Sequence, residues 1–322
     1  MKVLVTGATG FVGSHLVEAL RRRHDDVTAL VRSPDKARAL EGHGVRLVWG
    51  DLHHPAALER AAASQDVVIH VAGLVAARDE AEFLRANREG TARLLEAAVR
   101  AGVRRLVLVS SMAAGGPSAP GRPLTGAEPA RPVTAYGRSK LAAEELVRAG
   151  GVPWTILRPP MVYGPRDREV LKVFRFARLG IAPVFGEGTQ ELSAVHGADL
   201  ARALVASATA ERAIGRLYYA CHPETFTSTA FVRSVAATLG RPVRVIRVPH
   251  RLGSAALWLT GAAARLIGRP TIFTADKANE FFQPAWTGDP RPLVEETGWV
   301  PEFGLEGGLA DTYEWYRAAG WL

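Results

Sequence analysis

The sequence predicts an α/β fold: a Rossmann-type, doubly wound parallel sheet carrying a smaller C-terminal substrate-binding portion. Two observations lead there. Through the first half of the 322 residues, short β-branched runs alternate with longer segments rich in Ala, Leu and Arg, the pattern of successive strand-helix units in a parallel sheet. A glycine-rich turn, Thr6-Gly7-Ala8-Thr9-Gly10-Phe11-Val12-Gly13, follows the first of these runs and opens an amphipathic helix, the context in which spaced glycines become informative.

In chain order, strands are expected at Val3–Thr6, Val27–Val31, Val45–Trp49, Val67–Val71, Leu106–Val109 and Thr155–Leu157, with helices at Phe11–Arg23, Glu80–Ala101 and Ala135–Ala149. Gly and Pro punctuate the joins, as at Gly115-Gly116-Pro117 and Pro159-Pro160. From about Leu171 the alternation loses its regularity, passing through Gly186-Glu187-Gly188 before a helix around Ala198–Thr209. That stretch reads as a substrate-covering portion interleaved with the end of the sheet.

The composition sets further bounds. At 48% hydrophobic the chain has an ample core and needs no metal or disulfide to fold. Cys221 is the single cysteine, so no intrachain disulfide forms, and a reducing, cytoplasmic compartment is expected. Lys2-Val3-Leu4-Val5 has neither the apolar region nor the cleavage site of a secretory signal. The longest apolar stretch, from Ala255 to Ile267, is interrupted by Arg265 and falls short of the ~20 residues of a membrane span. Net charge is +8, but the arginines spread along the chain without a basic stripe interleaved with aromatics, so nucleic acid is not the expected partner. A positive field instead attracts anionic cofactors.

The glycine turn allows a sharp bend and close approach of backbone to a pyrophosphate, while the helix N-terminus supplies free N–H groups. After the second strand comes Arg32, where an NAD-preferring domain puts an acid for the ribose hydroxyls. A guanidinium there suits a 2′-phosphate, which favours NADP(H) while leaving NAD(H) open. Tyr136 and Lys140 stand four apart on a predicted helix and so share a face. A nearby ammonium and the cofactor's charge are expected to lower the tyrosine pKa, and Tyr136 then exchanges a proton with a substrate oxygen.

Several segments together resemble the extended branch of the short-chain dehydrogenase/reductase superfamily. Thr6–Gly13 looks like its TGxxGxxG loop, Gly50-Asp51-Leu52 like its adenine-side pair, and His70-Val71-Ala72-Gly73 like the segment after its fourth strand. Asn87 with Gly90-Thr91, Tyr136-Gly137-Arg138-Ser139-Lys140, and Leu157-Arg158-Pro159-Pro160 with Val162-Tyr163-Gly164-Pro165 follow in the same order. The resemblance implies a catalytic Ser111, Tyr136 and Lys140, with Ser110 the competing serine, at the carboxyl edge of the sheet where ligands bind. It implies cofactor contacts from Gly7, Thr9, Gly10, Phe11, Val12, Arg32, Asp51, Leu52, Ala72, Gly73, Ser110, Tyr136, Lys140, Pro159 and Val162. Residues 1–170 then form the NADP(H)-binding domain and residues 171–322 mainly the substrate-binding portion. A homodimer joined through Glu80–Ala101 and Ala135–Ala149 is the family's common assembly.

Other features carry less. His53-His54 lacks companions at metal-ligand spacing, and no metal is expected. Arg21-Arg22-Arg23-His24 closes a helix, where cations complement the dipole. His196 and Asp199 resemble the family's VHVxD signature, with Asp199 expected to anchor a helix N-terminus. The leading expectation is an NADPH-dependent carbonyl reductase or alcohol dehydrogenase acting on a small molecule. The alternative is an NAD-dependent nucleotide-sugar epimerase or dehydratase, and a third is a non-catalytic dinucleotide-binding protein. Arg32 favours the reductase, as does Gln190-Glu191-Leu192-Ser193, since Leu192 cannot hold a phosphate. Phe174, Phe176, Val184, Phe185, Leu192 and the Trp258–Ile267 segment offer an apolar pocket, whereas Arg166 and Arg168 lie near enough in sequence to meet an anion.

Overall fold

Strand β1 (Lys2–Thr6) is buried from Val3 onward and leads into α1 (Phe11–Arg22), whose Gly13, Leu16, Val17 and Leu20 face inward. The structure, a computed structural model, describes all residues except 41 and 269. β2 (Asp26–Val31), β3 (Arg46–Trp49), α2 (Pro55–Ala62) and β4 (Val67–His70) follow. Next come α3 (Gly90–Arg100), β5 (Arg105–Val109), α4 (Ala135–Ala149) and β6 (Trp154–Arg158). Every strand expected from the sequence is present to within a residue at each end. β4 and β5 are buried along their whole length, as parallel strands covered on both faces must be.

One strand of the main sheet was not legible in the sequence. β7 (Arg216–Tyr219) joins the edge next to β6, giving a seven-stranded sheet in the order β7-β6-β5-β4-β1-β2-β3. All six pairings are parallel. The chain reverses direction of winding between β1 and β4, which places a crevice at their carboxyl ends. Two apolar cores fill the faces. Leu16, Leu20, Leu200 and Leu204 belong to the first. Leu58, Leu94, Leu106 and Val147 belong to the second.

The expected helix Glu80–Ala101 is broken. A short α-turn, Glu80–Phe83, passes through a π-turn at Leu84–Glu89 before α3 begins. Such wide turns occur mostly at functional sites, and this one carries the buried Asn87.

Beyond α5 (Glu169–Arg178), α6 (Gly197–Thr209) packs on α1 beneath the sheet, while α7 (Ser228–Thr238), α8 (His250–Leu266) and α9 (Leu305–Ala318) belong to the second half. Short strand pairs knit this half together, Ile181–Phe185 with Arg244–Val248 and Met161–Tyr163 with Ala194–His196. Its core is aromatic: Phe174 stacks on Tyr313 and meets Tyr316 edge-on. Asp199 does not cap α6, whose cap acceptor is His196 Nδ1. Sitting within the first turn, its buried carboxylate accepts from the backbone N–H groups of Glu302 and Phe303 at 2.9 and 3.0 Å, tying the C-terminal segment down. Among the described residues no helix is long and apolar enough to cross a membrane.

The strongest anchor between sheet and helix is a buried ion pair. Glu144 on α4 accepts from Arg158 Nε and NH2 at 2.8 and 2.7 Å, and both side chains are at most 3% exposed. Removing one partner of such a pair leaves a buried charge uncompensated, at a cost of about 3–5 kcal/mol. Arg158→Met is therefore expected to lose about that much stability in urea denaturation, and Glu144→Gln added to it should recover part of the loss. Unchanged stability in the single variant would show that the pair does not hold α4 in place.

Candidate active site

The candidate site begins with a close approach of backbone to backbone. A Cβ on Gly137 would lie 2.4 Å from the Ala113 carbonyl oxygen, so only glycine lets α4 sit this tightly on the turn Met112–Gly115 that follows β5. Ser111 caps that turn, its hydroxyl accepting from Ala113 N at 3.2 Å. Ser111 thereby comes near the Tyr136 phenol, whose pKa its hydroxyl lowers. Ser110 points the other way and donates to the buried Glu144. The choice between the two serines is thus a matter of which face of the strand end each side chain occupies, and Ser110 is withdrawn from the crevice it was expected to line.

Lys140 is buried, with Nζ donating to the Val109 carbonyl at 2.7 Å. Burial holds its pKa down at about 8, against the pull of Glu144. Burial likewise pushes Tyr136 up to about 12, opposed by the Ser111 hydroxyl and assisted by Glu280. The expected lowering of the tyrosine pKa is not seen in the cofactor-free chain, because removal from water outweighs any attraction to the ammonium. At neutral pH Tyr136 is a neutral phenol and Lys140 an ammonium.

Behind them runs a polar relay that sequence reasoning had matched only in part. His70 is fully buried and its pKa falls to about 3, chiefly through burial and then through Lys140. Thr91 Oγ1 donates to the Asn87 carbonyl, so it accepts from His70 Nε2–H at 2.9 Å. His70 Nδ1 in turn accepts from Thr6 Oγ1 at 2.6 Å. Asn87 bridges the two sides: its Oδ1 accepts from Leu74 N at 2.8 Å, and its Nδ2 donates to Ser139 Oγ at 2.9 Å. The π-turn is what swings Asn87 inward to do this. The legible signal was the segment His70 to Gly73 followed by Asn87.

The glycine loop fits a dinucleotide's pyrophosphate. Gly7 has φ +75°, and a Cβ on it would lie 2.6 Å from Ala72 N, while one on Gly13 would lie 2.0 Å from Gly7 O. No side chain caps the start of α1 and its first turn holds no acid, the setting in which a helix N-terminus can receive an anion, while Gly10 N–H itself donates to Gly7 O at 3.0 Å. Thr9 lies in the same loop, Ala72 and Gly73 border it across β4, and Pro159 and Val162 follow β6 toward the crevice. Arg32 is exposed just past β2 and makes no ion pair among the described residues. Asp51 accepts from His53 N and His54 Nδ1, both at 2.8 Å, and Leu52 packs on Gly90. His53 and His54 are part of no metal-binding cluster among the described residues.

A strap from the second half closes over Tyr136, and nothing in the sequence pattern announced it. Asp276 accepts from Ala135 N and Glu280 from Thr134 Oγ1, both at 2.9 Å. Lys277, paired with Glu280, places Nζ 5.9 Å from the centre of the Tyr136 ring.

The residues offered for substrate contact divide. Phe174 and Val184 are buried in the small core, Phe176 and Trp258 are exposed, and Phe185 stacks on Phe281 at 4.7 Å. Arg166 is held by Glu18 and by His15 Nδ1, and Arg168 lies 5.2 Å over the Trp321 ring.

Comparisons with known proteins agree with this architecture. A model of the NAD dependent epimerase/dehydratase family matches residues 3–220. Over 322 residues the chain is 37% identical to a ceramide reductase of Caulobacter vibrioides, covering 99% of this chain and 96% of that one. It is 26% identical over 330 residues to a UDP-glucose 4-epimerase of Vibrio cholerae, covering 98% and 96%. Among solved structures, MoeE5 in complex with UDP-glucuronic acid and NAD aligns with a TM-score of 0.80 at 28% identity, over 99% of this chain and 100% of that one.

Burial of Lys140 makes a prediction independent of turnover. A fall in pKa from 10.5 to about 8 corresponds to roughly 3 kcal/mol spent on burying the charge. Between these values the unfolded chain binds more protons than the folded one, so stability rises with pH there. Cofactor-free Lys140→Met should be more stable than the wild type at pH 7, and its advantage should shrink as pH rises from about 8 to 10.5. A difference independent of pH in urea titrations would contradict this.

Proposed function

Because this chain belongs to the NAD-dependent epimerase/dehydratase family, we propose that it is an NADPH-dependent reductase of apolar carbonyl compounds using Ser111, Tyr136 and Lys140. That it is an NAD(P)-dependent enzyme of the extended short-chain dehydrogenase/reductase type follows from the family itself. The choice of a carbonyl substrate over a diphosphosugar is carried by one observation: the two arginines that follow Val162-Tyr163-Gly164-Pro165 in sequence are already engaged, Arg166 by Glu18 and Arg168 by Trp321. A diphosphate needs convergent cations, and Leu192 supplies none. The full-length likeness to a ceramide reductase supports the same reading.

When bound, the cofactor supplies the reducing equivalent. Tyr136 donates the proton to the substrate oxygen, and its raised pKa suits it to act as an acid, which supports the reductive direction. Ser111 hydrogen-bonds the same oxygen and orients it. Lys140 holds the nicotinamide ribose and keeps positive charge beside the phenol, stabilising the phenolate left after proton transfer. The loop from Gly7 to Val12 receives the pyrophosphate, Arg32 the 2′-phosphate, and Asp51 with Leu52 the adenine side. Residues 1–170 thus serve the cofactor, and residues 171–322 mainly the substrate, with α6 and β7 returning to the sheet.

Two measurements test this. NADPH oxidation should accompany addition of long-chain or aromatic ketones and not of UDP-glucose, and Tyr136→Phe should lower that rate by roughly 10²-fold or more with cofactor binding intact. Wild-type turnover in the variant, or conversion of UDP-glucose alone, would overturn the reading. Arg32→Ala should raise the NADPH dissociation constant about tenfold and leave that for NADH unchanged; equal NADPH binding in the two proteins would remove Arg32 from the site.

A further inference from the structure

The spread of arginines along the chain conceals one run with no acid in it. From residue 241 to residue 275 there are six arginines, Arg241, Arg244, Arg247, Arg251, Arg265 and Arg269, and neither Asp nor Glu. Within this run lies α8. Its buried residues, Gly253, Leu257 and Gly261, are four apart and face the protein. Its outer face is a stripe of leucines seven apart, Leu252, Leu259 and Leu266, exposed by 66, 60 and 89%. One residue earlier in each case stands Arg251, Trp258 or Arg265, forming a second stripe roughly 100° round the helix. Ile267 extends the apolar face past the last turn at 68% exposure.

A leucine stripe flanked by arginines and a tryptophan is the arrangement of a helix lying in a membrane interface, with its apolar face inward and its cations at the phosphates. The 17 residues of α8 span about 25 Å, enough to lie along the surface and too little to cross it. A second copy of the chain fits less well. A two-fold contact through this face would set Arg251 and Arg265 against their own counterparts, with no acid in the run to pair them. Lipid phosphates supply that pairing.

The inner side of α8 leads to the site. At Gly253 a Cβ would lie 2.7 Å from Phe282 and 3.1 Å from Phe185. Phe185 stacks on Phe281, and Lys277 stands 5.8 Å from the Phe281 ring and 5.9 Å from that of Tyr136. A run of neighbours, Phe282, Phe185, Phe281 and the Lys277 side chain, thus connects the exposed helix with the proton donor. We propose that the outer face of α8 docks on an anionic phospholipid bilayer and that the substrate is a long-chain carbonyl lipid drawn from it. The substrate half rests on the reductase reading above; the docking half does not.

The test is flotation of the full chain with vesicles of phosphatidylcholine alone and of phosphatidylcholine mixed with phosphatidylglycerol. The wild type should float with the mixed vesicles and be released by salt. Leu259→Glu with Leu266→Glu should weaken binding roughly tenfold or more, and Arg251→Ala or Arg265→Ala about fivefold each. All four positions are exposed, so melting temperatures and turnover of a short soluble ketone should stay at wild-type values. No association with either vesicle, equal binding by the leucine variant, or a dimer that the leucine variant dissolves would overturn the docking. Vesicle binding without turnover of any ketone would instead remove the substrate half while leaving the surface assigned.

Discussion

The ion pair between Glu144 and Arg158 is the constraint on which the site depends. Tyr136, Lys140 and Glu144 are spaced four apart on α4 and share one face, so fixing the rotation of the helix at Glu144 fixes all three. Arg158 holds that carboxylate through two hydrogen bonds from the end of β6, and Ser110 adds a third from the end of β5. The neighbouring Ser111 is then left to face Tyr136. Desolvating two charges is costly, and a hydrophobic pair would hold the layers together as well. What it would not supply is a defined angle between helix and sheet, which directional hydrogen bonds do.

Burial governs the electrostatics of the site more than the charges do among themselves. Tyr136 is held protonated, Lys140 is brought within reach of neutral pH, and His70 is kept neutral. Each shift disfavours the charged form, as transfer out of water demands. With His70 neutral and both its nitrogens committed to threonines, Lys140 is the charged member of this buried group, while Lys277 stands over the Tyr136 ring. The stability lost by burying that ammonium is a cost borne at the functional site and offset by the sheet core around it.

The second half of the chain acts on the first by covering and by subtraction. Asp276 and Glu280 fasten a strap to the start of α4, bringing Lys277 over Tyr136. Arg166, which in sequence stands beside the crevice, is drawn back to Glu18 and His15. The same half leaves α8 with its leucines outward, so that its apolar content serves a surface as much as a core.

How far the chain could be read without its structure depended on the range of the interactions involved. The six leading strands, the glycine loop and α4 were legible because buried parallel strands and phosphate turns impose local patterns of two, four or a few residues. The placing of Tyr136 and Lys140 four apart on one helix was legible for the same reason. Which serine faces the crevice, the break at Asn87, the edge strand β7, the strap at 275–281 and the fate of Arg166 were not, because each is settled by partners tens to more than a hundred residues away. The direction of the tyrosine pKa belongs with these. Sequence supplies the neighbouring ammonium, but only tertiary packing decides how much water remains around the phenol, and here the loss of water is the larger effect.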